Sequence, residues 1–285
     1  MAVFVYILLC LIWGSTWLAI KLGLTGTPPF YGASIRFVVA VALLTIISKI
    51  MKAKFPVGLR NWFRLGHPGL YMYGVSYACV YYGETQINSS LTAILFGSFP
   101  LFVALLSSRF LKQEAIKPVA WLGLILGFGG VVLISYDSLQ VSPEMFFGSI
   151  IVLVGSLASA VGLMVHQRTC SHENIYTAAT VQMGLGGLAI IAVALVIESL
   201  ADVHLTRTVI GATLYLALFG SVVAFLGYYW LLKRMSAVAV ALMTFVTPLV
   251  AILLGVFIYH ESLSTLVLIG GACIMGSVAL VVRKK

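Results

Sequence analysis

Aromatic and ionisable residues recur at helical spacing in a chain that is otherwise poor in polar groups. Tyr77, Tyr81, Glu84 and Asn88 fall at i, i+4, i+7 and i+11, which puts them on one face of a helix. Trp13, Trp17 and Lys21 share a face of an earlier helix, and Arg36 stands in the stretch SIRF. Aromatic walls with a few polar groups suit an amphipathic small molecule, and cation–π contact with an amine is open to them. Ordinary packing plus an interfacial aromatic belt is the plainer reading. Glu84 has two chemistries open. Paired with Arg36 or Lys21 it stays ionised and braces helices; unpaired, it can carry a proton. Lys21 can also reach back to the membrane surface along its own alkyl stem. Ser15 and Thr16, next to Gly14, either loosen their helix or bond across to a neighbour.

The elements that hold these residues follow from composition. The chain has 285 residues, of which 61% are hydrophobic and only 9% charged. Soluble domains carry about a quarter charged residues, so most of this chain has no aqueous face. The expectation is an all-α integral membrane protein. A net charge of +9 would suggest nucleic acid in a soluble protein; here it sits in short connections, where it sets topology instead. The cysteines Cys10, Cys79, Cys170 and Cys273 show no metal-ligand spacing. No metal or other cofactor is expected.

Spans of about 20 apolar residues are expected near 3–23, 30–50, 69–87, 91–111, 118–136, 147–166, 176–198, 209–231, 237–258 and 264–282. With the N-terminus inside, the inside segments hold Lys49, Lys52, Lys54, Arg60, Arg64, Arg109, Lys112, Lys117, Arg168, Lys233, Arg234, Arg283, Lys284 and Lys285, which is 14 of 17 Lys and Arg. Adding or losing one span scrambles that alternation, so ten spans with both termini cytoplasmic are expected. On this scheme Glu84 lies about 6 Å and Arg36 about 9 Å below the outer ends of their spans. A charge at the centre of a membrane helix costs about 2.5–3.5 kcal/mol, and less toward its edge.

The segment 89–134 has a counterpart in 236–282. Pro100 aligns with Pro248 and Glu114 with Glu261, at offsets of 148 and 147, and Tyr81-Tyr82 with Tyr229-Trp230. Tyr229 therefore joins the candidate site, and Leu232 stands opposite Glu84. Two repeats, 1–140 and 141–285, are expected within one membrane domain. Five spans is an odd number, so the second repeat enters the membrane inverted, an architecture of secondary transporters with a site between halves. Pro100 and Pro248 are expected to free a mid-span carbonyl and kink the helices that shape and gate the cavity. Gly123-x-x-x-Gly127 points to close helix packing. Glu114 and Glu261, at opposite faces, suit a structural role, and His166 a hydrogen-bonded one.

IWGSTWLAIK (12–21), SIRF (34–37), the segment ending in Pro100 with LKQE at 111–114, and its repeat ending in HES at 260–262 resemble the drug/metabolite transporter superfamily, EamA type. The resemblance covers essentially the whole chain. It implies a ten-helix, exporter-like carrier of the bacterial inner membrane for amino acids, related metabolites or toxic compounds. The expected function is thus export of small organic metabolites by alternating access, facilitated or coupled to protons through Glu84. Multidrug efflux is the alternative, and no nucleic-acid partner is expected. No GxxxxGK[ST] motif is present to bind ATP. An intramembrane enzyme lacks its facing aspartates, HExxH or Gly-x-Ser-x-Gly, and a channel its filter motif.

Overall fold

The computed structural model describes residues 1–87, 89–110, 117–134, 143–250 and 265–282, and every regular element in them is helical. In chain order these are α1 (Ala2–Leu24), α2 (Pro29–Ile50), α3 (Leu59–Gly69), α4 (Ser76–Gln86), α5 (Ser89–Phe96), α6 (Phe99–Phe110) and α7 (Pro118–Ile134). There follow α8 (Pro143–Thr169), α9 (Ile175–Ile197), α10 (Arg207–Ala217), α11 (Ala224–Leu232), α12 (Ala237–Ala241), α13 (residues 243–250) and α14 (Thr265–Val282). Among the described residues, five helical stretches are long and apolar enough to cross a membrane: Ala2–Leu24, Pro29–Ile50, Met145–Thr169, Ile175–Ile197 and the composite Arg207–Leu232. Shorter apolar helices cover Leu91–Ser107, Pro118–Leu133, Ala237–Val250 and Leu268–Val281.

The distribution of side chains suits a lipid solvent. Phe4, Ile7, Leu11 and Leu18 of α1 and Leu195, Val196 and Ile197 of α9 are exposed, whereas Arg36, Glu84, His166 and Gln182 are buried. In a bilayer the apolar perimeter costs nothing, and the polar groups find partners only inside the bundle. α2 shows this well: Ala33, Phe37, Ala40 and Leu44 form a fully buried stripe, and Arg36 adjoins it.

Helix starts are encoded locally. Asn174, Thr206 and Ser236 each accept a backbone N–H of the helix that they open. α2 starts on Pro29, and its N-terminal amides are capped from a distance. Phe30 N and Tyr31 N donate to the two Glu198 carboxylate oxygens at 2.8 and 2.7 Å. This fastens α2 to the end of α9 with a charge-assisted pair of bonds.

Two long rods are interrupted by π turns. α3 passes into α4 through Leu70–Val75, and α10 into α11 through Leu218–Val223. The two turns lie 148 residues apart, the same offset as Pro100 and Pro248. The apolar stretch expected near 69–87 is thus the later part of a helical rod that begins at Leu59.

The proline expectation needs correcting for Pro100. It stands second in α6, where its missing N–H costs nothing, and the break comes just before it, at Gly97-Ser98. The Phe96 carbonyl, four residues back, accepts from Ser156 Oγ at 3.5 Å. Pro248 lies within α13, and the carbonyl four residues before it, Thr244 O, accepts from Thr247 Oγ1 at 3.1 Å. Its helix also breaks early, at Leu242.

The α3–α4 rod packs against both α8 and α9 through glycines. On α8, Gly148, Gly155 and Gly162 recur every seven residues and face Gln86, Cys79 and Met72. A Cβ on Gly162 would stand 2.8 Å from the Met72 nitrogen and 2.9 Å from the Pro68 carbonyl oxygen. On α9, Gly186 meets the Gly69 carbonyl, and Gly69 meets the backbone of Gln182. Backbone approach of this kind is how apolar helices gain dispersion energy where lipid removes the hydrophobic driving force. Gly123 and Gly127 pack closely as expected, against Val281 and Ser277 of α14, joined by Gly130 against Gly270. Elsewhere α1 packs on α10 and α11, α2 on α9 and α10, and α6 on α8 and α12.

Candidate functional site

Arg36 is carried into the bundle by α2 and meets the π turn after α10. Its Nε donates to Ser221 Oγ at 2.9 Å and its Nη2 to the Gly220 carbonyl at 3.1 Å. Nη1 lies 3.4 Å from the Tyr81 hydroxyl, and the guanidinium carbon stands 4.8 Å from the centroid of the Tyr77 ring. Trp13 Nε1 also donates to Gly220 O, at 3.4 Å. The wide π turn offers carbonyl oxygens to side-chain donors, as such turns do at functional sites. Among the described residues Arg36 has no carboxylate within ion-pairing distance, although it is only 1% exposed. Neutral acceptors and aromatic faces solvate its charge.

Beside the guanidinium lies a cavity of about 80 Å³, lined from both halves of the chain. Such a volume holds several water molecules. Trp13, Thr16, Arg36 and Tyr77, all singled out from sequence, line it. Its remaining walls include Trp17, Ser76, Phe96, Phe225, Tyr228, Thr244 and Thr247. Trp13 stacks edge-on against Phe225 with centroids 5.4 Å apart, and Trp17 against Phe96 at 5.7 Å. Trp17 Nε1 and Ser76 Oγ are buried in this wall with no hydrogen-bond partner among the described residues. The site thus combines a fixed cation, a free donor, a hydroxyl and flat aromatic surface.

Other candidates fall elsewhere. Tyr81 stands behind the lining and supports Arg36. Tyr229 lies deeper, in a buried polar chain: its hydroxyl donates to Gln182 Oε1 at 2.7 Å and lies 2.9 Å from the Tyr73 hydroxyl. Its ring stacks on His166 at 4.5 Å, and His166 Nδ1 is 3.0 Å from the Gln182 amide nitrogen. His166 is therefore a hydrogen-bonded packing residue. Asn88, Glu114, Asp137 and Glu261 lie outside the described residues.

Glu84 is fully buried and is not held by Arg36. Its Oε2 accepts from Ser89 Oγ at 3.2 Å, and Oε1 has no partner among the described residues. Lys21 donates to the Glu84 backbone carbonyl at 2.9 Å, not to the carboxylate. Of the two chemistries open to Glu84, the ion pair with Arg36 or Lys21 is thus not formed, and Arg36 takes its acceptors from the π turn. Ser15 does bond across, with its Oγ 2.6 Å from the Tyr215 hydroxyl.

A signal for the missed residues was present. Tyr77 and Phe225, Val80 and Tyr228, Phe96 and Thr244, and Phe99 and Thr247 all line the cavity. Each pair is separated by 148 residues, so applying the proline offset to Tyr77 would have pointed to Phe225.

An apolar helical bundle with polar side chains turned into an interior cavity is the build of a multi-pass membrane transporter. The EamA-like transporter family matches residues 1–136 and again 146–283, and the chain belongs to that family; it is a transporter of the drug/metabolite kind, not an enzyme. It is 29% identical over 280 residues to the uncharacterized inner membrane transporter YedA of Escherichia coli (strain K12), covering 97% of this chain and 89% of that protein. It is 27% identical over 267 residues to an uncharacterized transporter of Buchnera aphidicola, covering 92% and 87%. Protein PagO of Salmonella typhimurium is 28% identical over 265 residues, covering 91% and 86%. A solved crystal structure shares the fold with a TM-score of 0.80 at 18% identity, over 98% of this chain and 96% of that one.

Proposed function

We propose that this protein is a secondary transporter of the bacterial inner membrane, exporting small organic metabolites that carry a carboxylate on an apolar or aromatic body. The observation that carries this reading is Arg36, a buried guanidinium in a cavity wall with no carboxylate beside it among the described residues. Buried charges are ordinarily paired. A substrate carboxylate would supply the missing counter-charge, Trp17 Nε1 and Ser76 Oγ would offer further hydrogen bonds, and the rings of Trp13, Tyr77 and Phe225 would cover the apolar part. Multidrug efflux of organic cations fits less well, since a fixed positive charge repels them.

The architecture in this reading is ten spans in two inverted five-helix repeats, 1–140 and 141–285, with both termini cytoplasmic. Support comes from the two π turns, the cavity pairs and the prolines, all at one offset, and from the paired family matches. Packing follows the same exchange of halves: α4 on α8 answers α11 on α1, α3 on α8 answers α10 on α1, and α3 on α9 answers α10 on α2. The breaks at Gly97-Ser98 and Leu242 and the π turns are the points where backbone can bend while the helical rods stay stiff. Alternating access would run through them. Glu84 is the proton-coupling candidate, because protonation removes a buried charge whose Oε1 has no hydrogen-bond partner among the described residues.

Thermal stabilisation of the purified protein by a panel of metabolites tests the site. Carboxylates with aromatic or aliphatic bodies are expected to stabilise the wild type, and the matching decarboxylated amines are not. Arg36→Met should weaken carboxylate binding by about 2–5 kcal/mol, roughly 30-fold or more. Equal stabilisation of both proteins by organic cations, with no response to carboxylates, would refute the reading.

A further inference from the structure

A second cavity lies away from Arg36, at the other end of α2. It is a groove of about 580 Å³ between α2, α3 and α9, within the size range of ligand pockets, about 300–1,000 Å³. Val41, Thr45 and Lys49 recur every four residues along its α2 wall, Gly184 and Leu188 belong to its α9 wall, and Trp62 closes it from α3. Lys49 is the ionisable group of this lining. Val41 is eight residues from it, about 12 Å along the helix, and the wall between them is apolar apart from Thr45. The Thr45 hydroxyl is already spent on the Val41 carbonyl, at 2.7 Å.

The polar end of the groove is strongly basic. Lys49, Lys52, Lys54 and Arg60 cluster within a stretch, 49–64, that contains no acidic residue. None of the four forms an ion pair among the described residues; Arg64 is already matched to Glu173 at 3.0 Å. α3 itself is amphipathic, with Leu59, Trp62 and Phe63 on one side and Arg60, Asn61 and Arg64 on the other. That is the pattern of a helix lying at the membrane surface. Phe55 stacks on Trp62 with centroids 5.9 Å apart, which holds the connecting segment over the mouth.

A groove with one cationic end at the interface and an apolar trough leading deeper has the shape and charge of a phospholipid. We infer that it binds one glycerophospholipid with an anionic headgroup, its phosphate at Lys49 and the neighbouring cations, and an acyl chain along Val41, Gly184 and Leu188. A basic juxtamembrane cluster attracts anionic lipid in this way, and the trough adds a fixed seat. The seat is independent of which solute is carried; the proposed topology decides only that the lipid comes from the cytoplasmic leaflet.

Native mass spectrometry of the delipidated full-length protein in a neutral maltoside detergent, titrated with phosphatidylglycerol or phosphatidylcholine, tests this. The wild type should take up one phosphatidylglycerol at a lipid concentration roughly fivefold below that needed for phosphatidylcholine. Lys49→Gln should erase the difference between headgroups. A Cβ at Gly184 meets only Val41 Cγ1, at 3.9 Å, so Gly184→Phe fills the trough without displacing backbone and should abolish the tightly bound lipid of either type. Equal affinity of the wild type for the two lipids overturns the inference, as does unchanged phosphatidylglycerol binding in both variants. If Gly184→Phe fails to fold, the headgroup ratio in Lys49→Gln decides alone. Lipid binding is read without any transport, so the inference can fail while the transport reading stands.

Discussion

A guanidinium and a carboxylate in neighbouring spans invite pairing, since burying either one alone costs several kcal/mol. Here they have separate surroundings. Arg36 is solvated by Ser221, Gly220 O, the Tyr81 hydroxyl and the Tyr77 ring, and Glu84 by Ser89. Removing one therefore should not orphan the other. For Glu84→Gln, folding and substrate binding are expected to persist while any response of flux to a pH gradient disappears. Proteoliposomes loaded with a carboxylate identified by thermal shift, and assayed with and without a pH gradient, provide the measurement. An identical gradient response in wild type and variant would remove Glu84 from proton coupling. At Tyr229 the expectation differs: its hydroxyl links Tyr73 and Gln182 outside the lining, so Tyr229→Phe should cost about 1 kcal/mol or more of stability and leave substrate affinity within about twofold. A melting curve beside a binding isotherm separates the two effects.

At the scale of the element, α8 is held to the α3–α4 rod by absent side chains. Gly162 faces backbone atoms of Met72 and Pro68, which cannot move without separating the helices. Gly162→Leu should therefore cost about 1–3 kcal/mol or more through overpacking, seen as a lower melting temperature in detergent. Gly211→Ala on α10 is the matched control. No described residue lies within 4 Å of where a Cβ would stand, and replacing glycine there should be neutral or stabilise by up to about 1 kcal/mol. Similar losses from both would show that the seam has no special role. The seven-residue glycine spacing of α8 was legible in the sequence. Its partner was not, because spacing on one helix does not say which neighbour it faces.

Over the whole molecule, cavity and packing draw on both halves, the first supplying more of the cavity lining. Helices from one half are wedged between helices of the other, α3 and α4 against α8 and α9, so neither half encloses the cavity by itself. The proposed topology puts residues near Asp202 and Arg207 outside and the C-terminal Lys285 inside. Single cysteines introduced at Asp202 and Lys285 of a cysteine-free variant are expected to react with an impermeant maleimide from opposite sides of intact cells. Labelling of both from one side would refute an arrangement with an odd number of spans between them.

What the sequence determined by itself is what local chemistry encodes: apolar length, the placing of basic residues in the connections, and the 148-residue offset. From these the helical membrane class and four of the cavity residues, Trp13, Thr16, Arg36 and Tyr77, could be read. What only the tertiary structure decided is which groups meet across that distance. Arg36 turns to the π turn at Gly220-Ser221 instead of to Glu84, Tyr229 joins Gln182 and His166 behind the cavity, and Glu198 caps α2 from the far half. Hydrogen-bond partners are chosen by reach and direction within a packed bundle. The width of one helical turn, invisible in residue types, moved the acceptors that decided Arg36.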